Sequence, residues 1–228
     1  MAIKQGDFIE IEYTGKLNDE SKAVFDTTNA EVAKKEGLFD EKTKYGPMII
    51  VVGEQQVIPG LDNALVGKDI GKHSFEIADI DAFGKKTASK IQLVPAKVFT
   101  KEQIRPFPGL QVNIDGQIGT IRTVSGGRVM VDFNHPLSSK DVVYDVEVKR
   151  IITDKKEQVT AFFNLMNFPV VNIEADEKLA TITVASALPE NLTLPLGEDI
   201  KRLTNIASIE FKVKESKKEV KKEESKSE

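Results

Sequence analysis

Gly53-Glu54-Gln55-Gln56-Val57-Ile58-Pro59-Gly60-Leu61-Asp62-Asn63-Ala64-Leu65 places a turn at Pro59-Gly60 and two leucines four residues apart. The spacing predicts one brief helix, closed by Gly67 and Gly71, in a region otherwise built from strands. Just upstream, Met48 to Gly53 is a short apolar run of the kind that forms a buried strand. Further back, Asp7 to Tyr13 sets Phe8, Ile9, Ile11 and Tyr13 among acids and reaches Thr14-Gly15, the pattern of a half-buried strand running into a turn. Ala23 to Asp26 resumes the sheet. The polar segment 27–47 reads as a surface flap, with a short helix at Glu31 to Glu36 and a break at Gly46-Pro47. Downstream, Lys72 to Ile77 is another strand and Ala78 to Gly84 an irregular loop.

From Lys85 to Phe133 the character changes to short β segments: Lys90 to Val94, Gln111 to Ile114, Gly116 to Val124 and Arg128 to Phe133. A Ser125-Gly126-Gly127 hairpin turn joins the last two. Val142 to Ile152 then returns to the style of the first strand, so the simplest organisation is a small all-β module inserted in a loop of the first unit. Beyond Thr153/Asp154, a capping pair, Val159, Phe162, Phe163 and Met166 share one helical face that ends at Pro169. Strands at Val170 to Ala175 and Leu179 to Val184, a helix near Glu198 to Leu203 and a strand at Ala207 to Val213 complete an αββαβ unit. Residues 214–228 are almost entirely Lys, Glu and Ser, a composition expected to stay disordered. The expected domains are therefore 1–86 with 135–152, the insert 87–134, and a C-terminal α+β unit 153–213.

Composition removes several function classes. Thirty-six acids and 32 bases leave a net charge of -4, dispersed along most of the chain, so no basic field suited to nucleic acid is present. With no cysteine, disulfides, thiolate nucleophiles and Cys-based metal sites are excluded. No apolar stretch approaches the roughly 20 residues that span a bilayer, and the N-terminus has no signal-like apolar region, so the expectation is a cytoplasmic protein. High charge without Cys or Trp also fits a hot habitat.

Tyr13, Phe25, Met48, Val57, Ile58, Leu61, Phe83 and Tyr144 come from separate segments, several at strand ends or in loops, and with Asp26 they read as a pocket. Five blocks carry a resemblance: Ile11 to Gly15, Phe25-Asp26, Gly53 to Leu61, Asp81 to Gly84 and Tyr144 to Val148. In this order they resemble the FKBP-type peptidyl-prolyl cis-trans isomerases. The insert resembles the insert-in-flap chaperone domain of SlyD-like and archaeal members, and the C-terminal addition resembles the long archaeal type. The resemblance implies an α+β fold, an FKBP-like antiparallel half-barrel sheet around a short helix, with no cofactor and no metal. It also implies that Tyr13, Asp26, Ile58, Phe83 and Tyr144 serve catalysis, that Phe25, Met48, Val57 and Leu61 line the prolyl pocket, and that the Ile58 N–H holds a peptide carbonyl. Leu61, Met48 and Phe83 depart from the family's usual tryptophan, aromatic and tyrosine.

Phe99, Ile104, Phe107 and Leu110 around a proline-rich loop suggest an exposed apolar patch that holds unfolded chains. Expected partners are unfolded or partly folded proteins with Xaa-Pro bonds and macrolide-type inhibitors, with no nucleic acid, no membrane, and a homodimer through the C-terminal unit. The alternative is a proline-peptide-binding holdase or adaptor with little catalysis. Other motifs have plain readings. Phe25-Asp26-Thr27-Thr28 lacks the glycine and second copy of an aspartic protease, His135 reads as a turn residue at the base of the insert, and His73 as a surface strand residue.

Overall fold

A computed structural model describes residues 2–214 of the chain. The charged tail expected to be disordered lies, from residue 215 onward, outside the described residues. β1 (Phe8–Leu17) does not end at Thr14-Gly15 but continues to Leu17, because β2 (Val24–Thr27) pairs with its second half. The ladder bulges between Gly15 and Lys16. A Cβ on Gly15 would stand 2.8 Å from Phe25 Cζ and 3.1 Å from Tyr144 Cε1, so the glycine lets both rings lie against the strand. In the flap, α1 (Ala30–Lys35) starts where Asn29 Oδ1 accepts hydrogen bonds from the Glu31 and Val32 N–H groups.

β3 (Met48–Val51) pairs with the first half of β1, and α2 (Pro59–Leu65) begins on a proline, which forfeits no helical hydrogen bond in the first turn. Leu61 and Leu65 are both fully buried beneath the sheet, worth about 1.5–3 kcal/mol each. Gly60 allows this close seat: a Cβ there would overlap Ile77 Cγ2 and meet the Asp81 carbonyl at 3.0 Å. β4 (Gly71–Ile77) precedes the insert.

The insert forms its own four-stranded sheet, in the order β5-β8-β7-β6, from β5 (Ile91–Pro95), β6 (Gln111–Ile114), β7 (Gln117–Ser125) and β8 (Arg128–Asp132). It is not all β. Ala96–Lys101 forms a helix, α3, between β5 and β6. That turn carries Phe99 into the insert's core with Val112, Ile121, Val129 and Val131, leaving it 2% exposed. Phe99 is therefore a core residue in this fold and not part of an exposed patch. Ile104 and Leu110 also pack against that core, and of the four only Phe107 projects, at 54% exposure.

The chain re-enters the first sheet as β9 (Val142–Ile152), which pairs antiparallel with both β1 and β4. The five-stranded sheet thus has the path β2-β1-β9-β4, with β3 beside β1. Val142, Tyr144, Val146 and Val148 face the core over α2, and Asp145, Glu147 and Lys149 alternate with them. Asp145 ties β1, β9 and the edge strand β4 on the outer face, accepting from Lys16 Nζ and from Ser74 Oγ, each at 2.7 Å.

The C-terminal unit follows the αββαβ order, with α4 (Lys155–Leu165), β10 (Asn172–Ala175), β11 (Leu179–Val184), α5 (Glu190–Thr204) and β12 (Ser208–Val213). β10 and β12 flank β11, antiparallel and parallel respectively. Asp154 caps α4, and Val159, Phe162 and Phe163 are buried. Met166, grouped with them by spacing, instead caps the helix and is 52% exposed. α5 begins at Glu190, well before Glu198, and contains Pro195 at the loss of one backbone hydrogen bond. Phe8, Val51 and Ile152 of the first sheet pack against Ala161 of α4, and Arg150 donates to Glu10 at 2.7 Å and to Glu157 at 2.9 Å. Among the described residues no helix is long and apolar enough to cross a membrane.

The two crossings between insert and sheet are bolted side by side. Asn134 Oδ1 accepts from the Thr87 N–H at 2.9 Å, while Asp132, buried at 3% exposure, accepts from the Asn134 N–H at 2.9 Å and from Arg122 Nη2 at 2.6 Å. Burial alone would raise the Asp132 pKa, but the hydrogen bonds from Arg122 and Asn134 outweigh it and bring it from 3.8 to about 2. A depressed pKa stabilises the fold above the unfolded value and loses that effect as pH falls through the folded one. The difference in melting temperature between the wild type and Asp132→Asn should therefore be full above about pH 4 and shrink toward pH 2, measured by thermal unfolding across that range. A difference independent of pH would show that the carboxylate's charge is not what closes the base.

Candidate active site

The loop that leads into α2 is fixed from within. Asp62, 3% exposed, accepts hydrogen bonds from the Gly53 N–H at 2.8 Å and the Gln55 N–H at 2.9 Å. Gln56 Oε1 accepts from the Val51 N–H at 2.7 Å. These bonds hold 53–56 against β3 and present Val57 and Ile58 at the start of the helix. The Ile58 N–H has no hydrogen-bond partner among the described residues.

Tyr13, Asp26, Gln56, Val57, Ile58, Phe83 and Tyr144 line a cavity of about 330 Å³. Tyr13 Oη donates to Asp26 Oδ2 at 2.9 Å across β1 and β2. The walls are aromatic. Phe25 meets Phe83 edge to face at 5.7 Å between centroids and 83°, and meets Tyr144 at 5.8 Å and 76°. Tyr13 and Tyr144 lie 5.6 Å apart. Edge-to-face rings interlock through their quadrupoles and resist collapse into the space they enclose. Leu61, fully buried, and Phe25 belong to the same apolar cluster as the lining residues.

Of the residues singled out by sequence, the fold brings Tyr13, Asp26, Val57, Ile58, Phe83 and Tyr144 to one cavity and sets Phe25 and Leu61 in the apolar cluster that backs it. Met48 touches that cluster, but it lines a separate hollow of about 590 Å³ between the flap and α4 rather than this one. Its register opposite Ile11 puts it two residues away from Tyr13. Gln56 and His135 were not anticipated as neighbours of the site. A glutamine in a loop carries no pattern of its own, and His135 reads only as a turn residue until the fold sets it 4.7 Å from Phe83, stacked at 4°.

Burial raises the pKa of Tyr13, and the Asp26 carboxylate raises it further; Tyr144 is raised by burial first and then by Asp26. Both phenols stay protonated and remain hydrogen-bond donors. A hollow of about 460 Å³ on the outer face has Glu12, Lys72, Asp145 and Glu147 in its wall, groups that are costly to desolvate against a hydrocarbon ring. The aromatic cavity suits a small apolar ring with an adjoining carbonyl far better.

Residues 92–137 match the family described as "FKBP26, IF domain". The chain is 27% identical over 150 residues to the short-type peptidyl-prolyl cis-trans isomerase of Methanocaldococcus jannaschii, covering 65% of this chain and 94% of that one. It is 30% identical over 108 residues to a probable FKBP-type 16 kDa peptidyl-prolyl cis-trans isomerase of Pseudomonas fluorescens, covering 45% and 71% respectively. It is also 30% identical over 130 residues to SlyD of Helicobacter pylori, an FKBP-type peptidyl-prolyl cis-trans isomerase, covering 54% and 69%. FkpA of Escherichia coli aligns with 66% of this chain and 42% of its own at 18% identity and a TM-score of 0.33, too weak a likeness to carry an argument. With the ordered sequence blocks and these relatives taken together, the chain belongs to the FKBP-type peptidyl-prolyl cis-trans isomerase family.

Proposed function

We propose that the cavity between Tyr13, Phe83 and Tyr144 takes the proline of an Xaa-Pro segment and accelerates rotation about its amide bond. The observation that carries this reading is a cavity of about 330 Å³ with aromatic walls and two donors at its edge, the Ile58 N–H and the Tyr144 hydroxyl. Neither donor has a partner among the described residues. Rotation must break C–N conjugation, at about 18–20 kcal/mol, and needs no nucleophile. An apolar wall disfavours the polar planar amide relative to its twisted form, while a donor can follow the carbonyl as it turns. A thousandfold acceleration asks for about 4 kcal/mol, within reach of a few such contacts. The Tyr13–Asp26 bond holds the phenol across the wall and sets the cavity's shape. With tyrosine at 144 and phenylalanine at 83, the hydroxyl comes from the last strand of the sheet.

The insert adds a second role in this proposal, loose capture of non-native chains. Leu93, Phe107 and Ile118 are 58%, 54% and 68% exposed, an apolar display that its own fold does not use. Capture beside the cavity would raise the local concentration of prolyl bonds. The C-terminal unit exposes Leu192, Leu194 and Val213, which supports pairing with a second copy.

Exchange NMR on a short Xaa-Pro peptide should show rapid turnover that Asp26→Ala and Tyr13→Ala each lower by about tenfold, the scale of one hydrogen bond to a charged group. Turnover unchanged in both variants would move the active site elsewhere. Because Thr87 and Asn134 are hydrogen-bonded neighbours, a short linker can replace 87–134. The shortened chain should turn over peptides nearly as fast as the wild type yet speed proline-limited protein refolding far less; equal loss on both would remove the division of labour. Light scattering of the full chain should give twice the chain mass, and a monomer at high concentration would remove the dimer.

A further inference from the structure

We infer that His135 is a positioning residue for the isomerase cavity: its ring splints Phe83 and ties the cavity's wall to the clamped base of the insert. The inference rests on the proline-binding reading of that cavity. Phe83 is half-buried and lies at the end of an irregular loop, so nothing in a helix or strand ladder fixes its ring. Two rings hold it from different sides. Phe25 meets it edge to face, and His135 lies parallel on it at 4.7 Å and 4°. Phe25 is part of the cavity's own cluster, whereas His135 is exposed and comes from the returning crossing of the insert.

His135 is itself held on both sides in sequence. Its Nδ1 accepts from the Leu137 N–H at 3.2 Å, which sets the plane of the imidazole. The residue before it, Asn134, is locked by Asp132 and Thr87. Further along, Ser138 Oγ donates to the Phe83 carbonyl at 3.2 Å and the Ser139 N–H donates to the Gly84 carbonyl at 2.8 Å. Side chain and backbone of the Phe83 loop are thus both registered against 134–139. An exposed imidazole stacked flat on a wall of the site adds little to the core, yet it removes the ring positions in which Phe83 would swing out of the cavity. His135 does not line that cavity.

The test is peptide turnover by the full chain carrying His135→Ala, His135→Leu or His135→Phe, beside Asp26→Ala, with melting temperature and the Phe83 ring signals followed by NMR. His135→Ala and His135→Leu should lower kcat/KM by about two- to tenfold, the range that an aromatic pair accounts for, while the melting temperature stays near wild type. His135→Phe, which restores a flat ring but not the bond to Leu137, should recover most of the loss, and the Phe83 ring signals should shift in the first two variants only. Turnover unchanged in His135→Ala, or lowered equally in His135→Phe, would overturn the splint. If instead Asp26→Ala and Tyr13→Ala, run alongside, both left turnover intact, the cavity assignment itself would fall, which separates the two failures.

Discussion

The first unit, which carries the aromatic cavity, depends on the pairing of β9 with both β1 and β4. β9 is the last strand to be made and the one that joins the two halves of the sheet, and an entire folded module precedes it. Closing so long a loop costs entropy that a flexible insertion would pay in full. Here the module brings its own two ends together. Asn134 reaches back to both the N–H and the carbonyl of Thr87, and Ser139 Oγ accepts from the Lys86 N–H. The insert delivers the chain to the sheet already in place, and the adjoining bonds from Ser138 and Ser139 to the Phe83 and Gly84 carbonyls set the loop carrying Phe83.

The proposed site contains no strongly activated group among the residues that line it. Its charged member, Asp26, sits at the exposed rim and spends its hydrogen bond on Tyr13. Both phenols are pushed toward the protonated form, first by burial and then by that carboxylate. This is the electrostatics of a cavity that holds a shape and offers donors. Proton transfer would call for the opposite tuning, a pKa drawn toward neutrality.

Most of this was legible in the sequence where local pattern and tertiary role coincide. Leu61 and Leu65 are i,i+4 because they are the buried face of α2, and Val142 to Val148 alternate because β9 has a core face and a wet face. Legibility failed where packing overrules local signals. Pro95 and the β-like residues near it hid α3, so Phe99 read as surface when it is core. The helix read near Glu198 to Leu203 starts eight residues earlier, at Glu190, and runs through Pro195, since Leu196 and Ile200 gain more by burial than one backbone bond costs. Met48 followed the family pattern of the pocket, yet the strand register directs it toward another hollow. His135 had no periodic partner at all, because its contact with Phe83 exists only after the insert has folded.

The seat of the C-terminal unit changes what β3 is. Ile50 faces the core over α2, while Ile49 and Val51 face α4, so the strand is covered on both sides and reads as an unbroken apolar run. Phe8 and Ile152 share that second, covered face. A chain that ended at Ile152 would therefore offer water a sticky plate on the back of the sheet that carries the aromatic cavity. The unit behind the sheet therefore serves that face as a shield as much as an added domain.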